Sequence, residues 1–106
     1  MEHVRITRIQ VFPQEENKNT LGYAHVTLSD AFVVKNLRLV KGKKGVFIGM
    51  PSYRLRNGDY ADVFFPVSRE ARTLLTNAII DAFRREYPEI LDGLQVYEAE
   101  AVQYAS

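Results

Sequence analysis

Residues 68–88 read SREARTLLTNAIIDAFRREYP, and they repeat with a period that no earlier part of the chain shares. Ala71, Leu74, Leu75, Ala78, Ile79, Ala82, Phe83 and Tyr87 recur at intervals of three and four, which puts them on one stripe of a helix. Ser68 can accept a hydrogen bond from the first free amides, and Glu70 suits the positive end. Arg84 and Arg85 suit the negative end, and Pro88 blocks continuation. The spacing predicts a helix of about 20 residues, ~30 Å long. A single amphipathic helix of this length needs a sheet to lie on.

Upstream, the period is two. His3–Phe12 is rich in β-branched residues and is closed by Pro13 and the polar run Gln14–Asn19, so it reads as a first strand. In Thr20–Leu28 the set Gly22, Ala24, Val26, Leu28 alternates with Leu21, Tyr23, His25, Thr27, predicting a second strand that pairs back on the first. After Ser29-Asp30, Ala31–Lys41 predicts a third strand with Ala31, Val33, Lys35, Leu37 and Leu39 on one side and Phe32, Val34, Asn36, Arg38 and Val40 on the other. Gly42 and Gly45 bracket Lys43-Lys44 as an exposed turn into a fourth strand, Val46–Met50. Beyond Pro51-Ser52, Tyr53–Arg56 faces Asp59–Phe65 across Asn57-Gly58, a dipeptide suited to a two-residue type I′ turn. Strand alternation then puts Arg54 and Arg56 on one face. The fold class expected is α+β: a small antiparallel sheet with one long packed helix in a single domain, residues 1–87, followed by an acidic extension, 88–106. For that tail a short second helix and a loose extension both stay open, because Ile90, Leu91, Leu94, Val96 and Tyr97 fit neither period.

Composition agrees with one ordinary globular unit. The chain has 106 residues, 46% of them hydrophobic and 25% charged, and no repeat or low-complexity segment. It has no cysteine, which removes disulfides, thiolate metal sites and thiol nucleophiles. Charged residues interrupt the first nine positions, and no apolar run approaches the ~20 residues that cross a bilayer. A soluble, cytoplasmic protein without membrane contact is expected.

Catalytic groupings are absent from the reading. His3 and His25 lie on predicted strands without a carboxylate at ligand spacing. Asp59 and Asp62 are three apart, which puts them on opposite faces of a strand rather than in an acid/base pair. Ser68 is explained by capping, and Gly42, Gly45 and Gly49 match no phosphate loop. No enzyme activity, metal, cofactor or small-molecule substrate is expected.

Charge is segregated along the chain despite a net +1. Residues 31–58 carry Lys35, Arg38, Lys41, Lys43, Lys44, Arg54 and Arg56, half of the 14 basic residues, and no Asp or Glu. Such a segment suits a polyanion. Tyr53 beside Arg54 adds a ring able to stack on an unpaired base while the guanidinium grips phosphate. The candidate nucleic-acid-binding residues are Lys43, Lys44, Tyr53, Arg54, Arg56 and Arg72.

The run Gly45-Val46-Phe47-Ile48-Gly49-Met50-Pro51-Ser52, followed by Arg54, Gly58, Tyr60, Asp62, Pro66-Val67 and Arg72, resembles the SpoVG family of bacterial septation and sporulation regulators. Ser29–Val34 and Asn36–Val40 resemble its second and third strands, so the likeness covers about residues 1–87. The resemblance implies a homodimer that binds DNA or RNA as a regulator without catalysis. It also implies that the two basic residues of the family's Met-Pro-Ser-Lys-Arg run contact nucleic acid. Here Arg54 matches the arginine, Tyr53 stands in place of the lysine, and Phe65 stands where the family commonly has histidine before Pro66. A second reading, a protein-interaction adaptor in cell division that works by strand pairing, stays open beside it.

Overall fold

The computed structural model describes residues 4–14 and 19–98. Readings that fall on His3, on residues 15–18 and on residues 99–106 lie outside the described residues. Four strands, β1 (Ile6–Pro13), β2 (Thr20–Leu28), β3 (Phe32–Gly42) and β4 (Gly45–Gly49), form one antiparallel sheet in chain order. A separate two-stranded ladder, β5 (Ser52–Arg54) and β6 (Tyr60–Asp62), follows, and then the single helix α1 (Arg69–Glu86). This is the α+β arrangement expected from the two periods. No helix among the described residues is long and apolar enough to cross a membrane.

One face of the sheet makes the core. Residues directly opposite in an antiparallel pair share a face, and the pairs Val11↔Ala24, Ala24↔Leu37 and Leu39↔Ile48 are all buried. They meet Leu75, Ile79, Ile80, Ala82 and Phe83 of α1. Gly22 makes that seat close: a Cβ there would lie 2.7 Å from both the Phe12 carbonyl oxygen and a ring carbon of Phe83. Ser68 caps α1 as expected, its Oγ accepting from the Ala71 amide at 3.1 Å.

The helix face is rotated from the predicted stripe. Leu74 is 40% exposed, while Thr76 and Ile80, outside that stripe, are each 3% exposed. The physical reason is the tail. Thr73, one turn before Thr76 on the same flank, donates to Glu98 at 2.8 Å, so the returning chain runs beside this flank. Residues 88–98 form a 3-10 turn, Pro88–Ile90, then bring Leu91 into the core and reach the outer edge of β4. There the Val46 amide donates to the Gln95 carbonyl at 2.7 Å, and the Tyr97 amide donates to Val46 at 2.9 Å. An otherwise open strand edge is thereby blocked at Val46.

Turn chemistry corrects two further expectations. The Asn57-Gly58 loop is not type I′, because only Gly58 of the two has positive φ. Leu55 donates to the Asp59 carbonyl at 2.6 Å and Gly58 to the Leu55 carbonyl at 3.1 Å. The loop is therefore the three-residue kind, Arg56-Asn57-Gly58, closed by a left-handed glycine. Asn57 Oδ1 accepts from the Asp59 amide at 3.0 Å, which favours this loop over the shorter one. Arg56 thus sits in the turn and not on the Arg54 face of a strand. The type I′ geometry occurs instead at Ser29-Asp30, with φ of 50 and 55 and Ala31 donating to the Leu28 carbonyl at 2.9 Å.

In β3 the alternation slips. Val34 pairs with Val26 but Leu37 with Ala24, so β3 holds one extra residue, and Asn36 has φ 67 at that bulge. Val34 and Leu37 consequently face the same side, where unbroken alternation puts them on opposite sides.

Candidate nucleic-acid interface

The six residues singled out by sequence fall into separate places. Lys43 and Lys44 are exposed at the tip of the turn between β3 and β4, where Gly42 pairs with Gly45. The ladder carrying Tyr53 and Arg54 follows the far end of β4. Five residues of strand at ~3.3 Å each separate the two by about 16 Å along β4. Arg54 pairs directly with Tyr60, so that guanidinium and that ring share a face, while Tyr53 pairs with Ala61 on the other. Tyr60 is 68% exposed and Tyr53 53%. The aromatic partner of Arg54 is therefore Tyr60 across the ladder rather than Tyr53 beside it in sequence. Arg56 is exposed at the hairpin tip. Arg72, in the first turns of α1, is half-buried with its Nε sealed from solvent, which makes it the least available of the six.

A further basic and aromatic surface was not singled out from the sequence. The sheet face turned away from α1 carries the cross-strand row Phe12–Tyr23–Arg38–Gly49, a residue from each of the four strands in direct register. Beside it stand Gln10–His25 and Arg8–Thr27–Val33. The Phe12 and His25 rings lie 4.8 Å apart at 56°. Arg38 extends over β4: a Cβ on Gly49 would sit 2.9 Å from its terminal nitrogen, so the glycine leaves room for the guanidinium. Toward the Lys43 turn the face continues into a shallow depression lined by Asn19, Val40, Lys41, Gly42, Lys43 and Phe47. Tyr97 packs on Phe47 at 5.2 Å and closes that corner.

Electrostatically, none of the four strands contains Asp or Glu, whereas they hold Arg8, Lys35, Arg38 and Lys41. Among the described residues no cluster of three or more His, Cys, Asp or Glu side chains is placed to hold a metal ion. The signal for the second surface was present in the alternation of Tyr23, His25 and Thr27 against Gly22, Ala24 and Val26. Which of those two sets the helix would cover was not readable locally.

A family model described as SpoVG matches residues 4–85 of this chain. Relatives that carry a septation-protein name, SpoVG, match over most of their own length. That of Archaeoglobus fulgidus is 40% identical, over 76% of this chain and 95% of the relative. That of Borreliella afzelii is 40% identical, over 82% and 93%. That of Bdellovibrio bacteriovorus is 31% identical, over 78% and 76%.

Proposed function

We propose, from the premise that this chain belongs to the SpoVG family, that it is a non-enzymatic nucleic-acid-binding regulator of septation, acting in the cytoplasm as a homodimer. The septation role rests on the names its relatives carry. The nucleic-acid role rests on one observation above the others: seven cations and no acid over residues 31–58, with Lys43, Lys44, Arg54 and Arg56 all exposed. Tips and hairpins that present cations in this way grip phosphate and set position rather than reading sequence.

The test is salt. If about six phosphates are neutralised by one dimer, affinity falls on the order of a thousandfold between 50 and 200 mM salt. Fluorescence anisotropy with a labelled 20-base-pair duplex measures this slope. Replacing Arg54 and Arg56 together by Ala is expected to weaken binding and flatten the slope. A double variant that binds like the parent at every salt concentration would remove the hairpin from the interface. Binding to a protein partner that survives high salt, with none to nucleic acid, would favour the strand-pairing adaptor. That reading draws on the Phe32–Asn36 half of β3, which runs past the end of β4 with Phe32 72% exposed.

A further inference from the structure

We propose that the open face of the four-stranded sheet, together with Lys43 at its adjoining turn, is a stacking platform for single-stranded nucleic acid, separate from the hairpin cations. The rings of Phe12, Tyr23 and His25 take unpaired bases, and Arg8, Arg38 and Lys43 take the phosphates. This deepens the nucleic-acid reading and rests on it.

An ordinary solvated face of an antiparallel sheet is polar, with both signs of charge. This face departs from that in two ways. Its centre is aromatic: Phe12 and Tyr23 are direct cross-strand neighbours, and His25 lies diagonally against Phe12 at 4.8 Å. Phe12 is 42% exposed, and Tyr23 and His25 are half-buried, with no helix above them among the described residues. Its flanks are basic, with exposed Arg8 at one side and half-buried Arg38 at the other, in strands without a carboxylate. That charge selects an anionic partner over a second copy of the same basic face, since two such faces repel, and the row of rings between the cations suits the bases of a nucleic acid.

The ring arrangement selects single strands. A base has a free π-face for Tyr23 or Phe12 only when it is unstacked from its neighbour, and in a duplex both faces are taken. Phosphates then reach Arg38, which Gly49 allows to extend across β4, and Lys43 at the end of the adjoining depression. The hairpin cations have single rings beside them, Tyr53 and Tyr60 on opposite faces of the ladder, rather than three rings on one face, and they serve either form of nucleic acid.

The experiment compares two probes on the full chain at 50 mM salt: a fluorescein-labelled 15-nucleotide oligo-dT and a 15-base-pair duplex. Phe12→Ala with Tyr23→Ala is expected to weaken oligo-dT binding by about tenfold or more and to leave the duplex nearly unchanged. Tyr23→Phe, which keeps the ring, is expected to bind oligo-dT like the parent. Arg54→Ala with Arg56→Ala weakens both probes. Because the double ring variant changes half-buried residues, a second measurement uses the unaltered protein. It has two histidines, and the His25 ring resonances are expected to move when oligo-dT is added. An oligo-dT affinity untouched by the ring variant, an equal loss on both probes, or His25 resonances that stay fixed overturns the platform while leaving the hairpin reading standing. A parent that binds neither probe overturns both.

Discussion

Ser29 and Asp30 hold the left-handed region of backbone space without being glycine, at φ 50 and 55. Left-handed backbone costs an L-residue about 1–2 kcal/mol, and the turn persists because its surroundings bind it. The Asp30 amide donates to Thr7 Oγ1 at 3.0 Å, the Ser29 amide donates to the Arg5 carbonyl at 2.7 Å, and the Arg5 amide donates to Ser29 Oγ at 3.3 Å. The Ser29 and Asp30 amide bonds survive side-chain changes at these two positions, while the Arg5 amide loses the Ser29 hydroxyl. Ser29→Asn with Asp30→Gly, the pair that best suits a type I′ turn, is therefore expected to stabilise the fold by about 0.5–1 kcal/mol. Urea denaturation checks it. An unchanged or lower midpoint would show that the Ser29 hydroxyl and the Asp30 side chain contribute more than the backbone relief.

At the scale of elements, α1 owes its position to two flanks of different origin. Ile79 and Phe83 are fully buried against the sheet, and Thr76 and Ile80 lie on the flank beside the tail. Leu74 and Ala78 line a groove next to β1 with Val4 and Ile9. Ile79→Ala should remove a buried side chain from a packed core and destabilise by about 2–5 kcal/mol. Leu74→Ala and Arg84→Ala, both at exposed positions, should change stability by less than about 1 kcal/mol. Three chemical denaturation curves with a common slope give the answer, and a Leu74→Ala loss as large as that of Ile79→Ala would contradict the helix orientation. The hairpin β5–β6 contributes differently, since it projects Arg54 and Tyr60 while Phe64 and Phe65, just after it, pack against the core.

For the whole molecule, the edges of the sheet bear on the homodimer proposed above. The tail blocks β4 at Val46, whereas among the described residues no strand pairs with the Phe32–Leu37 half of β3 on the β4 side. Phe32 at 72% and Val33 at 55% exposure are a large apolar presence beside a strand edge that no described strand pairs with. Antiparallel pairing of this segment with a second copy about a two-fold axis satisfies both the backbone groups and the apolar surface. Sedimentation equilibrium at micromolar concentration is expected to give a dimer for the parent and a monomer for Phe32→Asp, with circular dichroism unchanged between them. A parent that sediments as a monomer removes the dimer from the proposed function.

What could be determined from sequence alone was what local periodicity and chemistry encode. The change from period two to 3.6 at Ser68, the Ser68 cap, the Lys43-Lys44 tip between two glycines, and the acid-free stretch 31–58 needed no partner to be legible. The same holds for the family likeness, carried by the run Gly45–Ser52 and by residues spaced along the chain before and after it. Only the tertiary structure decided which side of each element is covered. Thr76 is buried and Leu74 exposed because the tail returns along one flank of α1, and a helical wheel contains no tail. The extra residue at Asn36 moves Val34 onto the core side, a register shift set by pairing with β2. Arg54 meets Tyr60 rather than Tyr53 because a three-residue loop fixes the ladder register. Phe12, Tyr23 and Arg38, 26 positions apart from first to last, form one row only once three strands are hydrogen-bonded side by side. Cross-strand adjacency depends on register, and register is a property of the folded sheet rather than of any segment within it.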